Sequence, residues 1–414
     1  YEYPIVVVSA TAKTTRQLIE AGKLAADNKL DEALELGESI KLRHLEIIRN
    51  FLQENPHPKK TLIEESCEKK LDEKIGLLNK FLTYTHKVGE LTPPMKDAIA
   101  SIGEQISSYL LAQCGLATDQ LTQFVDAKKI IKTDNNYGNA FPNFGLINQR
   151  IGSLETLLDG EAPDGTTTTL GFEGSDYSAS LIGGALHAKS IEIWTDVSGV
   201  FTSDPRFIKD AKPIPELSYF DATEMAYFGS KVLHPSTLKP AQERNIPVLV
   251  KNMFAPEETG TRIIRESVQT KKALAVSFKE DMALLTVSAY ETVMGYNFLT
   301  RVFKVLEDHR LAVDAVNTTE ASVTIALSDS EKLDEIAKSL IEIGTIDLER
   351  EKGLISIIGY RSSETTELCN DIFDAIQPVS LDMISFTKQK RILNLAVDQK
   401  IMVDTAQKIH SSLF

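Results

Sequence analysis

Residues 166–180, "TTTTLGFEGSDYSAS", join a run of four threonines to a glycine turn and then to small residues that favour the start of a helix. A glycine turn that opens a helix leaves backbone N–H groups unpaired and presents the positive end of the helix dipole. Such a turn is suited to an anion. Ordinary capping by Ser175 or Asp176 is the alternative, since both residue types are common helix caps. The spacing matches neither a P-loop nor a dinucleotide-binding fingerprint.

The segments around this stretch alternate between strand-like and helix-like patterns. The Val-rich run 5–10, "IVVVSA", predicts a parallel strand buried on both faces, and 122–131, 190–196 and 246–252 predict further strands. Helical periodicity covers 15–55 and 60–86, and Pro93-Pro94 and Gly115 bound another helix. This alternation predicts an α/β fold, an αβα sandwich around a mostly parallel sheet.

The pattern changes near residue 270 to two copies of a smaller α+β unit. Residues 281–353 have the order βαββαβ, and residues 354–414 begin a second copy that lacks its last strand. The strand-like run 272–280 precedes the first copy and has no other place. We therefore expect 272–280 to pair with strands of 354–398, so that the first copy is inserted inside the second. The catalytic α/β domain would cover residues 1–268.

Composition restricts the class of protein. The net charge is −14, from 45 basic and 59 acidic residues, which disfavours nucleic acid or an anionic membrane as a partner. Cys67, Cys114 and Cys369 lie far apart without metal-ligand spacing, which is typical of reduced thiols in a cytoplasmic protein. The sequence contains no apolar run of transmembrane length and no recognisable signal peptide.

Two polar loops add the charges that phosphoryl transfer needs. Residues 194–206, "WTDVSGVFTSDPR", follow a predicted strand and carry Asp196, Asp204 and Arg206. Residues 228–235, "FGSKVLHP", place Lys231 beside a Gly-Ser turn. Phosphoryl transfer depends on positioning and on cations that stabilise the developing charge. These loops therefore favour a phosphotransferase.

The sequence resembles the aspartokinases of the amino acid kinase family along its whole length. The resemblance rests on residues 6–15, 101–107, "TTTLGFEGSDYSA", "IWTDVSGVFTSDPR" and "FGSKVLHP", and the two small repeats resemble ACT domains. It implies phosphorylation of the side-chain carboxylate of L-aspartate by ATP with Mg²⁺, as the first step of aspartate-family amino-acid biosynthesis. It also implies feedback regulation and a homodimer, or a larger assembly, formed through the ACT domains.

The resemblance implies roles for individual residues. It assigns to the aspartate site Ser9, Thr15, Glu104, Phe172 and Ser175. It assigns to the nucleotide site Thr195, Asp196, Phe201, Arg206, Lys231 and Val232. Asp176 would organise the catalytic lysines, and Lys231 would reach the transferring phosphate. Without the resemblance, the residues themselves favour the ordinary interpretation, in which Ser9 and Thr15 are loop residues and Glu104 is a solvated helix residue.

A regulatory site is expected in the first ACT-type repeat. By resemblance it would bind lysine or threonine through Gly295, Tyr296, Asn297, Phe298, Asp314, Thr318 and Glu320. The N–H groups that open the helix near Asn297 suit a carboxylate, and the two acidic residues suit an ammonium. Ordinary surface charge is the alternative for Asp314 and Glu320.

Three departures from the family pattern affect these expectations. The lysine of the family's first strand and "KFGG" loop has no counterpart in the chain, and neither has a strand near residues 160–161. We expect omitted residues there, with the flanking Cα atoms further apart than the usual distance of about 3.8 Å. Phe172 stands where the family has an arginine that binds the substrate α-carboxylate, and Arg16 is a candidate replacement. The alternative function is therefore an amino-acid-binding regulatory protein with impaired catalysis.

Overall fold

The computed structural model describes residues 4–151, 166–171, 174–228, 233, 235–267, 273–290, 297–309, 311–319, 321–330, 332–360, 365–387 and 391–414. The chain forms two compact units, residues 1–188 and residues 189–414. The break expected near Gly160–Glu161 lies outside the described residues. The domain boundaries at 268, 281 and 353 stay predictions.

The first unit is helical in its described part. Its helices are α1 (Thr14–Ala26), α2 (Leu30–Glu54), α3 (Lys60–Val88), α4 (Pro93–Ala100), α5 (Ile102–Ala117), α6 (Phe144–Ile151) and α7 (Gly174–Ala185). Apolar residues at helical spacing on α1 to α5 form one buried cluster, which includes Leu18, Ile48 and Leu78. The predicted helix 15–55 is instead two helices, α1 and α2. Asn28 lies between them and has a positive φ of 64°.

Two predicted strands of this unit are wrong. Residues 4–10 and 122–131 form no strand, and Ile5 and Val6 are 50% and 63% exposed. A Val-rich run becomes a buried strand only when neighbouring strands supply hydrogen bonds on both sides. Residues 4–151 contain no such neighbour, and within the run Val7 packs against a second apolar cluster.

The second unit begins with a four-stranded mixed sheet. Its strands are β1 (Ile191–Thr195), β2 (Glu216–Ser218), β3 (Val248–Asn252) and β4 (Thr261–Ile264), in the order β1-β3-β4-β2. The pairs β1–β3 and β2–β4 are parallel and β3–β4 is antiparallel. Helices α8 (Tyr219–Tyr227) and α9 (Pro235–Arg244) connect β2 to β3. The strands predicted at 190–196 and 246–252 are confirmed.

A six-stranded antiparallel sheet follows, in the order β6-β7-β5-β8-β10-β9. Its strands are β5 (Ala275–Ala289), β6 (Ala315–Thr318), β7 (Ser322–Ser328), β8 (Gly344–Ile358), β9 (Met383–Thr387) and β10 (Ile392–Asp398). Its helices are α10 (Phe298–Asp308), α11 (Lys332–Leu340), α12 (Thr365–Ile376) and α13 (Gln399–Leu413). Buried apolar clusters lie between α10, α11 and one part of this sheet, and between α12, α13 and another part.

The strand β5 joins the two small repeats. Its first half pairs with the second half of β8, with Ala275 opposite Ile358 and Lys279 opposite Leu354. Its second half pairs with β7 and with the first half of β8, after a register shift between Lys279 and Leu284. The predicted pairing of 272–280 with the second copy is confirmed for residues 275–279. The run 272–280 and the first strand of the repeat 281–353, predicted as separate strands, form one strand because the chain continues through the irregularity without a turn.

In the part of the chain that the structure describes, no helix is both long and apolar enough to cross a membrane.

Candidate active site

A loop before α1 contacts α5 through its backbone. The hydroxyl of Ser107, on α5, donates to the carbonyl oxygen of Ser9 at 2.7 Å. Glu104 lies one turn earlier on the same helix, and the Ala10 N–H and the Thr15 hydroxyl lie close enough to its carboxyl group to lower its pKa. Residues three apart share a helix face, so Glu104 and Ser107 both face the loop.

The carboxyl group of Glu104 lies in a partly desolvated position. Burial raises its pKa, and the nearby donor groups, which are the backbone N–H groups of Glu104 and Ala10 and the Thr15 hydroxyl, partly oppose this effect. Burial disfavours the charged form of an acid, whereas donors to the carboxylate favour it. A carboxylate held in this way can form a strong ion pair with a ligand ammonium.

Gly103 allows the close approach of α5 to this loop. A Cβ atom at Gly103 would lie 2.8 Å from the Ala10 Cβ and 3.2 Å from Thr14 Cγ2. The first distance is shorter than side-chain carbons tolerate, so either the loop or the helix would have to move.

We expect Gly103→Ala to raise the KM for the substrate that contacts Glu104 by at least about tenfold, because misplaced binding groups lose affinity and rate steeply. The KM for nucleotide should change less than twofold, by about the scatter of a neutral variant. Gly76→Ala on α3 is the matched control, since its Cβ would meet nothing within 4 Å. Equal KM values for Gly103→Ala and Gly76→Ala would contradict this packing argument.

The N-terminus of α7 faces the same loop. Ser9 Oγ donates to Ser175 Oγ at 2.7 Å, and the Ser175 hydroxyl lies 3.5 Å from Asp176 Oδ1. Burial raises the pKa of Asp176, while the Ser175 hydroxyl opposes this shift. Ser9 is exposed and Ser175 and Asp176 are half-buried, so the group opens toward solvent. The structure thus brings together Ser9, Thr15, Glu104, Ser175 and Asp176, whereas Phe172 lies outside the described residues.

Asp97 holds the threonine run in place through hydrogen bonds, and the sequence analysis did not identify it. This α4 carboxylate is 3% exposed, and it accepts the N–H groups of Gly138 and Thr169 at 2.8 and 2.9 Å and the Thr169 hydroxyl at 3.1 Å. A buried acid fits a helix only with such partners. The single sequence signal is an aspartate on the apolar side of α4.

Arg16, the candidate replacement for the family's arginine at position 172, is an exposed residue of α1.

In the second unit, the end of β1 leads into the predicted nucleotide loop. The Thr195 hydroxyl donates to Asp196 Oδ1 at 3.1 Å, and Phe201 forms an isolated bridge with Pro213. Arg206 is exposed and forms a two-pronged ion pair with Asp204, with Nη2 2.6 Å from Oδ2. Lys231 and Val232 lie outside the described residues.

Thr202 holds this loop in place. Its N–H donates to the Lys212 carbonyl and its oxygen Oγ1 accepts the Lys212 N–H, both at 2.9 Å. Its carbonyl accepts the Val276 N–H at 2.8 Å, and its hydroxyl hydrogen-bonds to His410 Nε2 at 2.9 Å. Thr202 is fully buried, so each of these bonds replaces one to water. The loop bearing Asp204 and Arg206 is therefore fastened to β5 and α13.

Thr202→Val keeps the shape but removes two hydrogen bonds, and leaving a buried group unpaired costs about 1–3 kcal/mol. We expect the loosened loop to raise the KM for nucleotide by about tenfold and to leave the KM for the second substrate within about twofold. Thr223→Val is the control, because the Thr223 hydroxyl donates to the Tyr219 carbonyl within α8. An unchanged KM for nucleotide would remove this loop from the nucleotide site.

Some of the predicted regulatory residues belong to the part of the chain that the structure describes. Asn297 precedes α10, Phe298 is buried in its first turn, and Thr318 ends β6. The carboxylate of Asp314 forms an ion pair with Lys279 on β5. Gly295, Tyr296 and Glu320 lie outside the described residues.

Comparison with known proteins identifies the family. A family model described as the amino acid kinase family matches residues 1–252. Lysine-sensitive aspartokinase 3 of Escherichia coli (strain K12) is 30% identical, over 99% of this chain and 92% of its own length. The chain belongs to the aspartokinases of the amino acid kinase family.

Two solved structures agree with this assignment. Aspartokinase III of E. coli in complex with aspartate and ADP (R-state) superimposes with a TM-score of 0.83 at 29% identity, over 99% of this chain and 92% of that one. The same enzyme in complex with lysine and aspartate (T-state) gives a TM-score of 0.77 over the same shares. The predicted fold class, an amino acid kinase fold followed by ACT-type α+β domains, is confirmed for this aspartokinase. The individual site residues stay predictions.

Proposed function

We propose that this chain transfers the γ-phosphoryl group of ATP to the side-chain carboxylate of L-aspartate and forms 4-phospho-L-aspartate and ADP. The observation that carries the proposal is the joining of Ser9, Glu104, Ser175 and Asp176 around one loop and one helix N-terminus. A half-buried carboxylate suits the substrate ammonium, and the N-terminus of α7 suits an anion.

The reaction forms one P–O bond and breaks another. A carboxylate oxygen of aspartate attacks the γ-phosphorus, and the bond to the β-phosphate oxygen breaks, so that ADP leaves with the electron pair. Glu104 and Thr15 would orient the amino acid, and Asp176 would hold the lysines that meet the developing charge. Thr195, Asp196, Phe201, Arg206 and Val232 would line the nucleotide site, with Lys231 at the transferring phosphate.

Magnesium would enter with the nucleotide. Among the described residues no group of three or more His, Cys, Asp or Glu side chains could hold a metal ion. Mg²⁺ commonly keeps several waters and binds through phosphates and one or two carboxylates, so the residues present are compatible with it. When bound, the ion neutralises charge on the phosphates.

Regulation is proposed to act through lysine or threonine at the first ACT-type repeat. Asp314 would receive the ammonium of the amino acid, although it holds Lys279 in this structure. The ACT-type repeats would also form a homodimer or a larger assembly. We place the protein in the cytoplasm, since Cys67, Cys114 and Cys369 are free thiols.

Asp314→Ala should abolish inhibition by the effective amino acid and leave uninhibited turnover within about twofold, because a lost buried ion pair costs a factor of tens or more in affinity. Lys279→Met should keep or strengthen inhibition, since it frees the Asp314 carboxylate. Asp347→Ala, at an exposed position of β8, is the control. Inhibition that persists in Asp314→Ala would exclude this residue from the regulatory site.

The proposed function is tested by ADP release with aspartate as the acceptor, measured on the full-length protein. Turnover that depends on both aspartate and ATP supports the kinase. Binding of an amino acid without turnover would instead support the impaired regulatory protein, for which Phe172 is the specific argument.

A further inference from the structure

A buried histidine on α2 lies behind the proposed aspartate site. His44 has no exposed surface, and its Nδ1 lies 2.7 Å from the carbonyl oxygen of Ile40. A carbonyl oxygen only accepts, so Nδ1 carries the proton. In a neutral imidazole the other nitrogen, Nε2, is then an acceptor, and it accepts the Thr11 hydroxyl at 2.8 Å. Burial lowers the pKa of His44, which favours this neutral form.

The hydrogen bonds of Thr14 with Thr11 and with Arg43 also have a fixed donor and acceptor. Because Thr11 donates to His44, its oxygen accepts the Thr14 hydroxyl at 2.7 Å. Thr14 is fully buried, and its oxygen in turn accepts Nη2 of Arg43 at 2.6 Å. Arg43 Nη1 donates to Gln17 at 2.6 Å. The hydrogen bonds therefore run in one direction from Arg43 through Thr14 and Thr11 to His44, and we call these four residues the Arg43–His44 network.

The loop that this network holds has an uncommon backbone conformation. Lys13, between Thr11 and Thr14, has φ 70° and ψ −8°, in the left-handed region that few residues with a Cβ adopt. Such a conformation persists only where surrounding contacts fix it. The hydrogen bond between the hydroxyls of Thr11 and Thr14 spans Lys13.

The same loop carries the residues of the proposed aspartate site. Ser9 donates to Ser175, and the Ala10 N–H and the Thr15 hydroxyl lie near the Glu104 carboxyl group and lower its pKa. We propose that His44 and Arg43 are positioning residues of the aspartate site: through Thr11 and Thr14 they fix the loop that presents Ser9, Ala10 and Thr15. This inference rests on the proposed function of that loop.

The test compares Thr11→Val, His44→Leu and their double variant in the full-length enzyme. We expect each single change to raise the KM for aspartate by about tenfold while kcat and the KM for ATP stay within about twofold. Residues of one network are not additive, so the double variant should lie within about twofold of His44→Leu. His44→Gln, whose side-chain oxygen can accept the Thr11 hydroxyl, should restore the KM to within about threefold of wild type.

Amide hydrogen exchange provides a readout that does not need turnover. Residues 10–15 should exchange faster in Thr11→Val and His44→Leu, whereas α7 should not change. Thr83→Val is the matched control, because the Thr83 hydroxyl donates to the Asn79 carbonyl on its own helix.

An aspartate KM within twofold of wild type in both single variants, together with unchanged exchange, would overturn the proposal. So would a parallel change of both KM values and kcat, which indicates general destabilisation. If the wild-type protein does not phosphorylate aspartate, the proposed function fails, and the exchange of residues 10–15 alone decides the network.

Discussion

Asp176→Asn should lower kcat by about 10²–10³-fold, the loss typical of removing one electrostatic group from a transition state. Asparagine keeps the size of the side chain and its contact with Ser175, but it cannot carry the charge that would hold the catalytic lysines. The KM for aspartate should change by less than about tenfold, because Asp176 acts on the phosphoryl group in this account. Steady-state kinetics with both substrates measures these values.

Nucleotide binding should survive in this variant. Trp194, the only tryptophan of the sequence, lies on β1 beside Thr195 and reports on that loop through its fluorescence. We expect the same fluorescence response to ATP in Asp176→Asn as in wild type. Asp31→Asn, at an exposed position in the first turn of α2, is the control and should be nearly neutral. A kcat within threefold of wild type in Asp176→Asn would contradict the role of Asp176.

The kcat of the wild-type enzyme should also fall as the pH is lowered. Burial raises the pKa of Asp176, and only the ionised form attracts lysines. The loss of kcat therefore begins at a higher pH than the ordinary aspartate pKa of 3.8 suggests. This acid limb should be absent in Asp176→Asn.

Glu104→Gln should raise the KM for aspartate by a factor of tens to thousands, since breaking a buried charge pair costs about 2–5 kcal/mol. Glutamine keeps a side-chain oxygen near the Ala10 N–H and the Thr15 hydroxyl, so the loop should keep its place and the change should isolate the charge. The KM for ATP should stay within about twofold. Glu90→Gln, at an exposed position, is the control.

Glu104→Gln weakens aspartate binding, but it should leave the folded protein as stable as wild type or more stable. The folded state raises the pKa of Glu104, so folding favours its protonated form. That contribution is present at low pH and is lost as the pH rises through the folded-state pKa. Glu104→Gln should therefore have a Tm equal to or above wild type at neutral pH and gain least at low pH. A lower Tm at neutral pH would show that the carboxylate stabilises the fold.

The helices and the small repeats were predictable because their signals are local. The charged periodic run 60–86 became α3, and the βαββαβ order of 281–353 appeared in the sheet with only its strand junctions altered. The buried strand at 5–10 was not predictable in the same way, because its burial depends on partners elsewhere in the chain. Long-range pairing is not encoded in the run itself.

The residues of the candidate site also fall into two groups: those marked by a local sequence pattern and those that depend on distant partners. Glu104 and Asp176 were assigned by resemblance to the family, through motifs of a few consecutive residues. Asp97, Arg43 and His44 act through contacts with Thr169, Thr14 and Thr11, and no local pattern marks a residue whose partner lies that far away in the chain. The placement of a satisfied buried polar group becomes visible only once the partners are packed together.

In the proposed reaction, aspartate receives the phosphoryl group on its side-chain carboxylate. ADP release by the full-length protein should be measured with aspartate and ATP, in the presence of hydroxylamine to trap the acyl phosphate as a hydroxamate. We expect ADP and aspartyl hydroxamate to form in equal amounts, with both lost in Asp176→Asn. ADP formation that does not depend on aspartate, or no hydroxamate at saturating aspartate, would contradict the account.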